Sequence, residues 1–264
     1  MRAWLAFALL SLTVLAGCAG TGGNGGSEGG TDSLAPPPAD ALAAYRAGNE
    51  SANLEVLGGW EAGTQEIDAW ANYLFVDNGA AIQILDVTNP AAPEEVGRFT
   101  GLADIQDVKV SDDGNWMFIG NDDEASIAPL GGVARAGGFY VVDVSDKAHP
   151  ELKSYLPVGP RRGPHMVTYF RTAAGDELVF GANADVSINR FDRASGTLTE
   201  LARYQADLAT AYNRDPTVFD VYYQGYAHDM VVREDAVTGK TLMYVANWDA
   251  GLRIVDISNP STPN

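Results

Sequence analysis

Short runs of β-branched and aromatic residues, each ended by a polar, Gly- or Pro-containing turn, recur along the chain from residue 67 onward. Runs of this length and composition predict strands rather than helices. Four segments share one pattern: GAAIQILDVTNP (79–90), GFYVVDVSD (138–146), a degenerate VSINRFD (186–192) and GLRIVDISNP (251–260). Each sets apolar residues about an Asp and then breaks at a turn. The four Asp, 86, 143, 192 and 256, stand 57, 49 and 64 residues apart, intervals that suit propeller blades with loop insertions.

Each repeat fills out in the same order. A short first strand (68–70, 107–110, 165–167, 229–232) is followed by a second (73–76, 116–119, 178–180, 242–245). Turn chemistry such as SDDGN (111–115) and TGK (238–240) separates them. The motif strand comes third, and a fourth follows its turn at 94–99, 151–155 and 198–204. The expected fold is therefore all-β, a β-propeller of four-stranded antiparallel blades at about 67–100, 105–157, 164–204 and 227–264. A β-sandwich does not repeat a four-strand unit. Residues 54–60 resemble an isolated fourth strand, and the last repeat reaches Asn264 where its own fourth strand is due. Two readings stay open here: a four-bladed ring closed by 54–60 as an outer strand, or the front part of a larger ring, a C-terminally truncated fragment.

The segment GLRIVDISNPSTP (251–263), with its copy ending DVTNPAAP (86–93), resembles the LVIVD repeat of bacterial and archaeal surface proteins. The resemblance covers about residues 54 to 264. Copy two lacks the Asn-Pro, and copy three is recognisable mainly by position. It implies an extracytoplasmic, often surface-anchored propeller and no particular activity.

The N-terminal region reads differently. Residues 1–18, MRAWLAFALLSLTVLAGC, hold a basic start and an apolar run too short to span a bilayer. Leu15-Ala16-Gly17-Cys18 looks like a lipobox, so 1–18 is expected to be a lipoprotein signal with Cys18 as the acylated anchor. Residues 19–50 then form a flexible Gly/Ser/Pro-rich tether; seven of the eleven residues from Gly20 to Gly30 are glycine. The expected location is exported and lipid-anchored, at the outer membrane or cell surface. Cys18 is the one cysteine, which excludes an internal disulfide and a four-thiolate zinc site.

Charge narrows the partners. The chain holds 35 Asp+Glu against 17 Lys+Arg, a net −18, which repels nucleic acid. On a propeller, the entries to the innermost strands and the loops between second and third strands emerge on one face. That geometry gathers Asp68, Asp107, His165, Asp185, His228, Asp229, Trp248 and Asp249 around one channel mouth. Carboxylates there suit Ca2+, and the two imidazoles suit a transition metal. The competing reading is that these Asp serve turns or cap backbone amides between blades. The series Asp86, Asp143, Asp192 and Asp256 reads as structural. No nucleophile elbow, Walker loop or dinucleotide fingerprint occurs. The insertion at residues 205–224, with Tyr204, Tyr212, Tyr222, Tyr223 and Tyr226 in and beside it, suits either a protein or glycan partner or packing against the blade rim. The functional expectation is a lipid-anchored binding or scaffold module, with a metal-dependent enzyme using His165 and His228 as the alternative.

Overall fold

The computed structural model describes residues 55–60, 66–79, 81–102, 105–122, 127–130, 133–135, 137–158, 163–206, 226–248 and 250–264, all within one compact unit. The signal, the tether, Cys18 and Asp249 lie outside these residues.

The first blade pairs β1 (Ile67–Trp70), β2 (Tyr73–Asp77), β3 (Ala81–Asp86) and β4 (Glu94–Thr100) in sequence order. The second contains β5 (Ile105–Val110), β6 (Trp116–Asn121), β9 (Gly138–Asp143) and β10 (Glu151–Pro157). Between β6 and β9 runs a separate hairpin, β7 (Ile127–Leu130) with β8 (Val133–Arg135), which the sequence pattern did not announce. The third blade is β11 (Met166–Arg171), β12 (Glu177–Ala182), β13 (Val186–Asp192) and β14 (Thr197–Tyr204). Among the described residues the fourth holds three strands, β15 (Ala227–Glu234), β16 (Thr241–Asn247) and β17 (Gly251–Asp256). All pairings are antiparallel. Residues 55–60 are assigned to no strand.

Middle strands of the first three blades are buried on both faces. β3 and β9 are buried along five consecutive residues, and β12 along its whole length. One core fills each junction. Ile82 and Ile84 of the first blade meet Val108, Tyr140 and Val142 of the second. Phe139 and Val141 of the second meet Val167 and Val179 of the third. Ile188 of the third meets Met230, Met243 and Val245 of the fourth. At roughly 25 cal/mol per Å2 of apolar surface removed from water, such junctions dominate the stability of the array.

The repeat aspartates close the third strands. Asp86, Asp143, Asp192 and Asp256 each accept, through Oδ1, the backbone N–H two residues on, at 2.7, 3.0, 3.0 and 3.0 Å. These are Asx turns, which reverse the chain without help from distant residues. Asn89 and Asn259 repeat the bond one step later, from Ala91 and Ser261. In the second blade Asp146 takes over that role, accepting from Ala148 at 3.0 Å, so the turn survives the loss of Asn-Pro.

Candidate functional site at the channel mouth

The innermost strands surround a channel of about 540 Å3 lined by Glu66, Asp68, Lys109, Thr168, Asp229 and Val231 among others. Pairing shows which of these stand level. Ile84 opposite Phe75 and Val141 opposite Phe118 are each two residues before the repeat Asp. Phe75 in turn faces Asp68, whereas Phe118 faces Lys109. Asp107 lies opposite Gly120, and Asp229 opposite Ala246. Asp68 is thus level with Lys109, two residues further along its strand than Asp107 and Asp229. The backbone of Glu66, bonded to Asp77 N at 3.0 Å, stands level with the latter pair instead. A bulge precedes each of Asp107 and Asp229, between Ile105 and Asp107 and between Ala227 and Asp229.

Two of these carboxylates tie neighbouring blades together. Asp68 Oδ1 accepts from Ala69 N at 2.9 Å, and its Oδ2 accepts Val110 N of the second blade at 2.7 Å. Asp107 Oδ1 accepts Val108 N at 2.7 Å and Lys109 Nζ at 2.6 Å, and its Oδ2 accepts Val167 N of the third blade at 2.6 Å. Burial penalises the charged carboxylate, raising Asp68 and pushing Asp107 up to about 6 despite Lys109 and the amide donors. Glu66 is also raised, by burial first and then by Asp229, with Lys109 opposing. Burial works against the Lys109 charge, yet Asp107, Asp68 and Glu66 outweigh it and hold Lys109 above its ordinary value. Neither Glu66 nor Lys109 stood out in the sequence, although Lys109 inside an apolar first strand was a readable signal.

Above the carboxylates lies a cluster of rings. Tyr226 and His228 open β15, Trp248 follows β16, and a Trp248 N–H bond to the Tyr226 carbonyl at 3.0 Å holds the two ends together. His165 stands just ahead of β11, its N–H donated to the Ala182 carbonyl at 2.8 Å. The ring centroids of His165 and His228 are 5.1 Å apart, those of Tyr226 and Trp248 5.0 Å, and those of His228 and Trp248 5.7 Å with near-parallel planes. Trp248 remains 53% exposed. His165 Nδ1 lies 3.5 Å from Asp122 Oδ2. Burial, and then the neighbouring His165, lower His228 below the usual imidazole range, with Asp229 opposing. This favours the neutral imidazole.

The predicted cluster is only partly gathered. His165, His228 and Trp248 come together with Tyr226, while Asp68 and Asp107 are engaged between blades. Asp185, in the turn before β13, faces Arg203 at 3.3 Å. Among the described residues, no three His, Cys, Asp or Glu side chains assemble as a group able to hold a metal.

Blades of this order and packing define a β-propeller. The LVIVD repeat family matches residues 63–101, 133–156 and 224–264, so the chain is a β-propeller carrying LVIVD repeats in its first, second and fourth blades. No curated protein matches it. A Bacteroides uniformis protein proposed to be a 6-phosphogluconolactonase superposes with a TM-score of 0.51 at 16% identity, covering 75% of this chain and 54% of its own. A functionally unknown protein from Desulfotomaculum acetoxidans gives a TM-score of 0.48 at 16% identity, covering 71% of this chain and 51% of its own. The chain spans about half the length of these structures, and at such identity the likeness concerns the fold alone.

Proposed function

We propose that the chain is a binding module, held to a membrane by acyl chains on Cys18 and presenting the mouth of its propeller channel to a ligand. The observation that supports this reading best is the cluster of His165, Tyr226, His228 and Trp248 above an acidic channel. Rings at this spacing offer flat apolar faces with polar edges, which suit a sugar ring or another neutral ligand with an apolar face. The channel carboxylates would repel an anion, and two imidazoles offer hydrogen-bond partners to hydroxyls. A tethered propeller with such a mouth serves as a scaffold or receptor at the cell surface.

A glycan array probed with the purified chain and with Trp248→Ala tests the proposal. Binding of a neutral glycan that falls at least about tenfold in the variant, about 1.4 kcal/mol, is expected for loss of one stacking platform. Binding unchanged by Trp248→Ala and by His228→Ala would overturn it. Labelling with a radioactive fatty acid, lost on Cys18→Ser, tests the anchor.

A further inference from the structure

We infer that Asn247 is the specificity-determining residue of the channel mouth, its side-chain amide holding two adjacent hydroxyls of a neutral sugar whose apolar face lies on Trp248. The inference rests on the reading of the mouth as a ligand site and adds the group that selects among neutral ligands.

Position comes first. Asn247 ends β16 and stands opposite Ala227, the first residue of β15. Tyr226 and His228 flank Ala227 in the chain, and Trp248 follows Asn247. Through chain and pairing, Asn247 thus adjoins the residues that bear three of the four rings. Its side chain continues the row of Met243 and Val245, since alternate residues of a strand share a face. Those two pack in the core between the third and fourth blades, together with Ala227, Ala182 and Val186. His165, the fourth ring, donates its backbone N–H to the carbonyl of that same Ala182 and meets His228 at 5.1 Å. Asn247 therefore closes this core at the mouth, on the side where His165 crosses from the third blade.

The amide placed there is unpaired. Asn247 is 5% exposed, and among the described residues neither its Oδ1 nor its Nδ2 has a hydrogen bond. Asparagines at or just past the end of the second strand in the other blades are used. Asn78 Oδ1 accepts Ala81 N at 2.8 Å. Asn183 Nδ2 donates to Asp122 Oδ1 at 2.8 Å and to the Gly163 carbonyl at 2.6 Å, and Asn121 is engaged as well. In the same junction as Asn247, His165 Nδ1 is also buried without a hydrogen bond, 3.5 Å from Asp122 Oδ2. Buried polar groups left unpaired destabilise the free chain. Here they gather where four rings converge, and a bound molecule that brings donors and acceptors relieves the cost.

The chemistry of that molecule follows from the amide. Asn presents an acceptor and a donor side by side. Two adjacent hydroxyls match it, because each can give and take a hydrogen bond. A trans peptide group points its N–H and C=O in opposite directions and satisfies one end only. A pyranose offers the hydroxyl pair together with an apolar face for a ring. The amide is closed to water in the free chain, so the sugar reaches it by displacing a ring. Trp248, the most exposed of the four, is the ring that turns aside and then lies on the sugar.

Calorimetric titration of the purified chain with the methyl glycosides of glucose, galactose and mannose, each beside its monodeoxy analogues, tests the inference. At least one sugar is expected to bind, and loss of either of two adjacent hydroxyls to weaken it about tenfold or more. Asn247→Leu keeps the number of side-chain heavy atoms, and it is expected to bind the sugar and those two analogues alike. Asn247→Ala, which adds no bulk, should lose the same preference. A variant that merely disturbed the fold would weaken all three ligands and keep the preference among them. Trp248→Ala is expected to weaken sugar and analogues in equal proportion. The inference is overturned, with the ligand site left standing, if either Asn247 variant keeps the preference or the unaltered chain shows none. Absence of binding by every sugar, or binding indifferent to Trp248→Ala, overturns the reading of the mouth itself and this inference with it.

Discussion

Asp107 and Asp143 belong to the first and third strands of one blade, yet their surroundings drive them in opposite directions. Asp107 is buried between blades, and burial pushes its carboxyl up to about 6. Asp143 caps a turn; burial raises its carboxyl there too, but bonds from Ser145 together with Lys153 outweigh it and lower it. Asp86, Asp192 and Asp256 follow Asp143, and Asp68 follows Asp107. The repeat thus uses one residue type as an inter-blade tie, where the charge is costly, and as a local cap, where the charge is stabilising. The difference teaches that an acidic repeat protein need not be acidic for a ligand's sake.

The largest effect expected is from Asp107→Ala. It leaves Val108 N–H and Val167 N–H without their acceptor and takes the counter-charge from Lys109. A loss of about 3 kcal/mol in urea unfolding is expected, since each buried unsatisfied donor costs roughly 1–3 kcal/mol. Asp143→Ala should lose less than about 1 kcal/mol, as exposed pairs and caps do. Equal losses would break the comparison.

The pH dependence comes next. A carboxyl raised from 3.8 to about 6 binds its proton more tightly in the folded chain. Its contribution is fully present below about pH 4 and is lost as pH rises through 6, with a ceiling of about 3 kcal/mol at 1.36 kcal/mol per pKa unit. Asp68 and Glu66, also raised, act with the same sign. The turn series acts oppositely, its stabilisation being lost as pH falls below the ordinary carboxylate range. Urea midpoints measured between pH 4 and 7 should therefore show a downward slope that flattens in Asp107→Asn; a slope unaltered by that substitution would show that Asp107 is not its source.

Smaller again is Asp68→Ala. It removes one tie to Val110 N, and about 1–2 kcal/mol is expected from the stranded donor. Exchange at the Val110 amide should rise while the turn amides of Thr88 and Ser145 keep their rates.

How far these roles could be read from residues alone depended on distance along the chain. The turn series was legible because an Asx turn is complete within three residues, so Asp86-Val87-Thr88 and Asp256-Ile257-Ser258 declare it directly. Blade order was legible too, since both-sided burial leaves apolar runs that no turn can hide. The inner site was legible only in part. Asp68, Asp107 and Asp229 look like one aligned series, but the strand pairing sets Asp68 level with Lys109, and Glu66 level with Asp107 and Asp229, a register that depends on partners across each hairpin. His165 and His228 were singled out as a pair, and their rings do meet, but Tyr226 joins them through a backbone bond to Trp248 that no spacing rule states.

The smallest expected effect is also the most direct check on the turn series. Asp256 Oδ2 lies 2.8 Å from Lys240 Nζ, and Oδ1 accepts from Ser258 N and Ser258 Oγ at 3.0 and 2.7 Å. The Lys240 bond is the leading reason that the Asp256 carboxyl is held below its ordinary value, and the Ser258 donors add to it. Being exposed, the pair contributes little to stability, and salt screens it. The carboxyl itself still reports the arrangement. In a carbon-detected NMR titration Asp256 should stay ionised below the pH at which a free aspartate protonates, and Lys240→Ala should move its midpoint upward without shifting the unfolding midpoint beyond error. Ser258→Ala should move it upward as well, by less. If Asp256 titrates as a free aspartate in the unaltered chain, the carboxylate is not acting as the cap, and the contrast with Asp107 reduces to exposure alone.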